Sequence, residues 1–127
     1  GHTNTQVDQV VSDLKVFVDG SGKNGSYCYV APGARPRLFF GEENLTNNQA
    51  EYKAIIAALQ EHPGEELTIL SDSQLAVRQL NREYEIRDPE LRDLAGKVRS
   101  LCRNRKVVFK WVPREENLAG KVLESLV

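Results

Sequence analysis

The stretch Val16-Phe17-Val18-Asp19-Gly20-Ser21 decides the fold, because it has the composition of a buried strand and ends on a carboxylate. A second apolar run, Leu67-Thr68-Ile69-Leu70-Ser71-Asp72-Ser73, ends in the same way, and Asn47-Asn48-Gln49-Ala50-Glu51-Tyr52 puts a Glu on the apolar side of a predicted helix. Buried carboxylates destabilise a core unless they are paired or bound to a cation. The convergence of Asp19, Glu51 and Asp72 from separate elements therefore predicts a divalent-metal site suited to phosphodiester chemistry.

Hydrophobic periodicity divides the chain into sheet and helix segments. Turns rich in Gly and Pro separate the first three predicted strands, which indicates antiparallel hairpins. The predicted strands cover residues 14–19, 26–31, 36–41, 67–72 and 107–112, and the predicted helices cover 47–61, 73–82, 89–102 and 117–127. This order predicts one α/β domain with a mixed sheet, in which three antiparallel strands are followed by parallel ones and helices flank the sheet.

The length of 127 residues suits one domain with its own core. We expect that domain over residues 12–127, after a flexible polar lead-in over residues 1–11 whose Gly1-His2 start resembles a vector-derived remnant. No apolar stretch approaches the roughly 18 residues of a membrane span and no signal-peptide pattern opens the chain, so a cytoplasmic protein is the expectation. A monomer is also expected. The net charge of −1 does not decide whether nucleic acid binds, since the acidic site residues contribute to it.

The cysteine and histidine content argues against several kinds of site. Cys28 and Cys102 lie far apart without metal-type spacing, which favours two reduced thiols and leaves a disulfide between them open. With only His2 and His62 present, a histidine-based zinc site or a Ser-His-Asp triad is nearly excluded. The single Trp, Trp111, is predicted to belong to the core rather than to stack on a base.

The three carboxylates are expected to meet at one edge of the sheet. Glu51 shares its helical face with the apolar stripe that must pack on the sheet. If the strands ending in Asp19 and Asp72 are adjacent and parallel, the two side chains lie side by side at a topological switch point, with Glu51 over them. For each Asp alone, a turn or helix-capping role stays open. The cluster of hard oxygen ligands suits Mg²⁺ or Mn²⁺.

Four motifs, in their order along the chain, resemble those of type 1 ribonuclease H. They are Val18-Asp19-Gly20-Ser21, Thr46-Asn47-Asn48-Gln49-Ala50-Glu51, Ser71-Asp72-Ser73-Gln74 and Trp111-Val112-Pro113-Arg114-Glu115-Glu116-Asn117. The resemblance implies a ribonuclease H-like fold with a five-stranded mixed sheet. It also implies two-metal hydrolysis of the RNA strand of an RNA–DNA hybrid, with Asp19, Glu51 and Asp72 as metal ligands.

The chain departs from the family at the fourth carboxylate, which is usually part of an Ala-Asp pair that opens the last helix. The corresponding segment, Glu116-Asn117-Leu118-Ala119-Gly120-Lys121, contains no Asp. One frame leaves Gly120 at the ligand position, and a shifted frame places Asn117 there, where its amide oxygen would be a neutral fourth ligand. Helix capping by Asn117 stays open. Glu115 or Glu116 could instead supply the missing charge.

The chain also lacks the mobile histidine that many family members carry before the last helix. Arg114 occupies comparable sequence, and we expect it to contact phosphate or to assist product departure. The segment over residues 81–90 is too short and too acidic for the basic protrusion of many members, which implies a compact form with modest, salt-dependent substrate affinity. By resemblance, the further substrate contacts are predicted at Gly20, Ser21, Asn48 and Gln49, while a helix-capping role of Asn47 and Asn48 stays open.

The mechanistic hypothesis has two Mg²⁺ or Mn²⁺ ions about 4 Å apart across the scissile phosphate. Asp19 bridges both ions, Asp72 and Asn117 flank them, and Glu51 holds the second ion. A neutral Asn predicts a weakened first ion and a greater dependence on Mn²⁺ than on Mg²⁺. Two alternatives stay open: a catalytically silent module that binds the hybrid, and a nuclease of the same fold that also acts on double-stranded RNA.

Overall fold

The structure of the protein is a computed structural model that describes residues 14–64 and 66–126. The predicted lead-in over residues 1–11 lies outside the described residues. The strands are β1 (Leu14–Ser21), β2 (Ser26–Val30), β3 (Arg37–Phe39), β4 (Leu67–Ser71) and β5 (Val107–Trp111). The helices are α1 (Asn47–Glu61), α2 (Gln74–Leu80), α3 (Pro89–Leu101) and α4 (Leu118–Glu124), with a 3-10 turn over Arg114–Glu116 before α4.

The sheet has the strand order β3-β2-β1-β4-β5. β2 pairs antiparallel with both β1 and β3, whereas β4 pairs parallel with both β1 and β5. The predicted mixed sheet, with three antiparallel strands followed by parallel ones, is therefore confirmed. The third strand is shorter than the predicted segment over residues 36–41, because the exposed Phe40 lies beyond the pairing with β2 and Gly41 turns the chain with a φ of 83°.

The parallel pairing of β1 with β4 brings two of the predicted carboxylates together. Phe17 is opposite Leu70 in this register. Two residues further along each chain, Asp19 and Asp72 follow at the carboxyl ends of the two strands. The predicted adjacency of the two strands is confirmed, and the site lies where parallel sheets place their ligands.

Gly20 allows α1 to lie directly against the end of β1. A Cβ atom at this position would lie 2.3 Å from the carbonyl carbon of Ala50 and 2.6 Å from the backbone nitrogen of Glu51. Such distances are far below van der Waals contact, so any side chain here would push the helix away. The absence of a side chain at Gly20 therefore brings Glu51 close to Asp19.

The two faces of β1 contribute to two separate apolar clusters, because successive side chains of a strand point to opposite faces. Val16 and Val18 belong to the larger cluster, which includes most of the apolar residues of α1. Phe17 packs against the smaller one, which joins β2 to α4 and consists of Cys28, Val30, Ala119 and Leu123. Helix α4 is thus fixed beside the carboxyl end of β1.

The prediction that Trp111 belongs to the core is wrong. Its side chain is 45% exposed, because Trp111 ends β5, which is an edge strand of the sheet. The indole Nε1 donates a hydrogen bond to the backbone oxygen of Asp72 at 3.2 Å. Trp111 therefore lies beside the carboxylate site.

Two further predictions concern the thiols and the membrane. Cys28 and Cys102 are both free thiols in the structure. Over residues 14–64 and 66–126, no helix is both long and apolar enough to cross a membrane.

Candidate functional site

A cleft of about 350 Å³ opens at the carboxyl edge of β1 and β4. It lies between the amino end of α1 and the last helix, α4. The lining residues include the three predicted carboxylates and Arg114, together with residues of the β1–β2 turn and of α1: Asp19, Gly20, Ser21, Asn24, Asn47, Asn48, Glu51, Asp72, Ser73, Arg114, Leu123 and Glu124. The structure therefore brings Asp19, Glu51 and Asp72 to one solvent-accessible place.

Asp19 lines the cleft beside Gly20 and is only 4% exposed. Burial and, after it, the charge of Asp72 raise the pKa of Asp19 above its ordinary value. The charge and hydrogen bond of Arg114 oppose that shift. A cation near Asp19 therefore favours its ionised form.

Glu51 projects from the first turns of α1 and is also 4% exposed. Its Oε1 accepts a hydrogen bond from the Ser71 hydroxyl at the end of β4. Burial, followed by the charge of Asp19, raises the pKa of Glu51 well above its ordinary value. A cation bound here would oppose both effects, because it would replace the lost hydration of the Glu51 carboxylate and offset the charge of Asp19.

The side chain of Asp72 is available to the site because a neighbouring residue caps the next helix. The hydroxyl of Ser73 accepts from the backbone nitrogen of Ala76 at 3.1 Å and so caps α2. Oδ2 of Asp72 instead accepts from Nη1 of Arg114 at 2.9 Å and from Nδ2 of Asn117 at 2.8 Å. Ser73, and not Asp72, therefore caps α2, so the capping alternative for Asp72 is wrong.

Asn117 is fully buried, and both ends of its amide are engaged. Nδ2 donates to Val18 O at 3.0 Å as well as to Asp72, and Oδ1 accepts from the backbone nitrogen of Ala119 at 3.0 Å. If the amide oxygen and nitrogen were exchanged, the oxygen would face the acceptors Val18 O and Asp72 Oδ2, and the nitrogen would face the donor Ala119 N. These contacts support the helix-capping role, with the nitrogen toward Asp72, and the metal-ligand role stays a prediction.

Arg114 bridges the carboxylates, although its side chain is 49% exposed. Nη1 donates to Asp19 Oδ2 at 3.0 Å and to Asp72 Oδ2 at 2.9 Å, while Nε donates to Glu124 Oε1 at 3.1 Å. Partial burial of the guanidinium opposes ionisation, but the charges of Asp19 and Asp72 outweigh it and raise the pKa of Arg114. Arg114 is therefore charged and partly neutralises the acidic cluster.

Gly120 faces this same group of side chains. A Cβ atom there would lie 3.1 Å from Nη1 of Arg114 and 3.5 Å from Oδ2 of Asp19. A side chain at this position would thus point into the site, which supports the frame that aligns Gly120 with the missing fourth carboxylate. Glu124 also lines the cleft and was not predicted from the sequence. It lies one helical turn further along α4, and its offset of four residues from Gly120 is the signal that could have identified it.

The predicted substrate contacts divide into two groups. Gly20, Ser21, Asn48 and Arg114 line the cleft. Gln49 is buried instead, forms a capping box with Thr46 at the start of α1 and donates to Glu90. Glu115 and Glu116, the alternative sources of charge, are exposed on the 3-10 turn and do not line the cleft.

The donor chemistry of the site fits a hard divalent cation, since Asp19, Glu51 and Asp72 all offer carboxylate oxygens as ligands. The arrangement of those oxygens fits less completely. Within residues 14–64 and 66–126, no three Asp, Glu, His or Cys side chains are placed to hold one ion together. The guanidinium of Arg114 bridges the two aspartates at the point where such an ion would share them.

Comparison with known families and proteins gives concordant matches. The family model described as RNase H matches residues 11–120 of this chain. The bifunctional protein Rv2228c of Mycobacterium tuberculosis (strain ATCC 25618 / H37Rv) is 34% identical over 76 residues, which are 57% of this chain and 21% of that protein. A protein of Mycobacterium bovis matches to the same extent. The chain thus spans about a fifth of the length of the curated relatives it matches.

Solved structures share the fold over most of the chain. LC11-RNase H1 in complex with an RNA/DNA hybrid has a TM-score of 0.77 and 25% identity, covering 90% of this chain and 99% of that one. RNase H1 from the halophilic archaeon Halobacterium salinarum NRC-1 has a TM-score of 0.73 and 26% identity, covering 87% and 93%. The N-terminal RNase H domain of Rv2228c, as a fusion with maltose-binding protein, has a TM-score of 0.69 and 25% identity, covering 87% and 95%.

Proposed function

The chain belongs to the RNase H family, and from this we propose that it is a metal-dependent endonuclease that hydrolyses the RNA strand of RNA–DNA hybrids. One observation carries the proposal: Asp19, Glu51 and Asp72, from β1, α1 and the end of β4, line a single cleft at the carboxyl edge of the sheet. Desolvated carboxylates in one cleft are what divalent-metal phosphodiester hydrolysis requires.

Asp19, Glu51 and Asp72 are the carboxylates that would hold the metal, although within residues 14–64 and 66–126 the three are not positioned around one ion in this structure. When bound, divalent ions activate the attacking water and stabilise the leaving 3′ oxygen. Ser71 orients the Glu51 carboxylate through its hydroxyl, and Asn117 orients that of Asp72 through its amide nitrogen. The presence of two ions, the preference for Mn²⁺ over Mg²⁺ and a direct metal contact of Asn117 stay predictions.

Hybrid binding is proposed for the part of the cleft formed by the end of β1, the β1–β2 turn and α1. Ser21 and Asn48 offer a hydroxyl and an amide there, and such groups can bond the 2′-hydroxyls that distinguish RNA from DNA. The similar fold of LC11-RNase H1, which is described in complex with an RNA/DNA hybrid, supports this substrate class. Double-stranded RNA is the alternative side substrate, because its helical shape is similar. A monomeric state and a cytoplasmic location stay predictions.

A second candidate function is a hybrid-binding module without catalysis. It is favoured by two observations: Gly120 offers no carboxylate at the fourth position, and Arg114 bridges Asp19 and Asp72. Both candidates predict that the hybrid binds, and only the first predicts that it is cut.

The test is cleavage of a labelled RNA–DNA hybrid with Mg²⁺ or Mn²⁺, by the wild type and by two matched variants. Asp19→Asn removes one charge from the site, whereas Asp93→Asn removes one charge from the exposed face of α3. We expect metal-dependent cutting by the wild type and by Asp93→Asn, and a loss of at least about a hundredfold in Asp19→Asn. Tight hybrid binding without cutting under either metal would favour the silent module instead.

A further inference from the structure

Arg114 serves as the cation of the acidic cluster in this structure. A single guanidinium nitrogen, Nη1, donates to both Asp19 at 3.0 Å and Asp72 at 2.9 Å. The Nε atom of the same side chain donates to Glu124 at 3.1 Å. Because three carboxylates surround one guanidinium, Arg114 is held from both sides of the cleft.

The sequence of α4 makes room for this arrangement. A Cβ atom at Gly120 would lie 3.1 Å from Nη1 and 3.2 Å from Cζ of Arg114, which is closer than most side-chain contacts. One turn later, Glu124 presents the carboxylate that binds Nε. Gly120 therefore leaves space for the guanidinium, and Glu124 binds it in the position where it contacts Asp19 and Asp72.

The oxygens that Arg114 occupies are those that a divalent ion would need. Mg²⁺ binds carboxylate oxygens at about 2.0–2.1 Å, and an ion shared by Asp19 and Asp72 would lie within the space of Nη1. Two cations at such a short separation also repel each other strongly. The guanidinium and the ion therefore exclude each other at this pair of carboxylates.

We propose that Arg114 is a resident cation that competes with a divalent metal ion for Asp19 Oδ2 and Asp72 Oδ2, so that the ion binds there only after the guanidinium has left. This inference rests on the proposed function, because it concerns the metal that the proposed hydrolysis requires. Glu124, which accepts from Nε and is 61% exposed, offers the displaced guanidinium a carboxylate partner nearer the solvent.

The test is direct binding of Mn²⁺ in the absence of nucleic acid, followed by the electron paramagnetic resonance signal of free Mn²⁺. Arg114→Ala and Arg114→Gln remove the competing charge, and the second keeps a long polar side chain in case the first does not fold. Arg78→Ala is the matched control, because Arg78 forms an exposed ion pair with Glu83 at 3.3 Å, outside the site. Asp19→Asn establishes where the ion binds.

We expect both Arg114 variants to bind Mn²⁺ about tenfold more tightly than the wild type, which is a small part of the Coulomb energy of charges at this distance. The Arg78→Ala protein should bind like the wild type, and Asp19→Asn should lose the binding. A larger Mn²⁺-induced rise in melting temperature for Arg114→Gln than for the wild type is the second readout.

Equal or weaker Mn²⁺ affinity in both Arg114 variants would overturn the competition, and so would binding that survives in Asp19→Asn. The outcome is separable from that of the proposed function. A wild type that cuts the hybrid while Arg114 has no effect on Mn²⁺ affinity refutes this inference alone. A wild type that does not cut, with tighter Mn²⁺ binding in the Arg114 variants, refutes the proposed function alone.

Discussion

Replacing Asn117 by Asp separates the two roles that the sequence leaves open for this residue. The change keeps the oxygen that caps α4 but replaces the Nδ2 donor with a second oxygen. That oxygen would face Val18 O and Asp72 Oδ2, which accept from Nδ2 at 3.0 and 2.8 Å in the native protein. If the side-chain oxygen of Asn117 is a metal ligand, the protein should tolerate Asp at this position. If Asn117 acts as a buried donor through Nδ2, the change should destabilise the fold.

The cost follows from the contacts that are lost. The hydrogen bond to the Asp72 carboxylate contributes about 1.5–3 kcal/mol, and an unsatisfied buried Val18 carbonyl costs about 1–3 kcal/mol. A new carboxylate in a side chain that is 0% exposed adds repulsion against Asp72. We therefore expect the metal-free variant to lose roughly 3–5 kcal/mol of unfolding free energy, which lowers the melting temperature by roughly 10–20 °C. The deficit should shrink at low pH, because a protonated carboxyl can donate in place of the amide.

Urea unfolding of the metal-free proteins, followed by circular dichroism and by Trp111 fluorescence, measures this deficit. Asn81→Asp is the matched control, since Nδ2 of the exposed Asn81 donates to Phe109 O at 3.1 Å, outside the site. It should cost less than about 1 kcal/mol. A metal-free Asn117→Asp protein as stable as the wild type would refute the donor role and favour the predicted metal contact.

Three further measurements test the environment of the site and the helix packing. Because burial and the charge of Asp19 raise the pKa of Glu51, the metal-free native state binds more protons than the unfolded chain, so stability falls as pH rises above about 4.3. Glu51→Gln should flatten that fall in urea titrations at several pH values, and an unchanged slope would contradict it. Burial, then the charges of Asp19 and Glu51, raise the pKa of Cys28 to about 12, so a native Cys102→Ser protein should resist thiol reagents that label it readily in urea. Gly96→Ala, in α3 where no heavy atom beyond the helix's own nearby backbone lies within 4 Å of the added Cβ, should stabilise by about 0.5–1 kcal/mol, whereas Gly20→Ala should prevent native packing against Ala50.

The convergence of Asp19, Glu51 and Asp72 could be predicted from the sequence because each placement depends on local pattern. Two apolar runs end on an Asp, and the helical offset of Glu51 fixes its face. Once β1 and β4 are parallel neighbours, the meeting of the two aspartates follows from strand geometry. These parts of the site needed only periodicity and one assumption about topology.

The parts that could not be predicted depend on contacts between distant segments. Arg114 is 95 residues from Asp19 in sequence, so no local sequence pattern predicts their ion pair. The exposure of Trp111 depends on β5 being an edge strand, which its own apolar sequence does not reveal. For Gln49 the signal was present and missed, because Thr46 and Gln49 have the spacing of a capping box.

The most direct test of the central claim is the chemistry of the cut ends. A hybrid with separate labels on its RNA and DNA strands is incubated with the wild-type protein and Mg²⁺ or Mn²⁺, and the products are sized and their ends identified. Metal-activated water acting on the phosphodiester predicts RNA fragments with 5′-phosphate and 3′-hydroxyl ends, an intact DNA strand and no cutting after chelation. Cutting of the DNA strand, cyclic phosphate ends or activity that survives chelation would contradict the account.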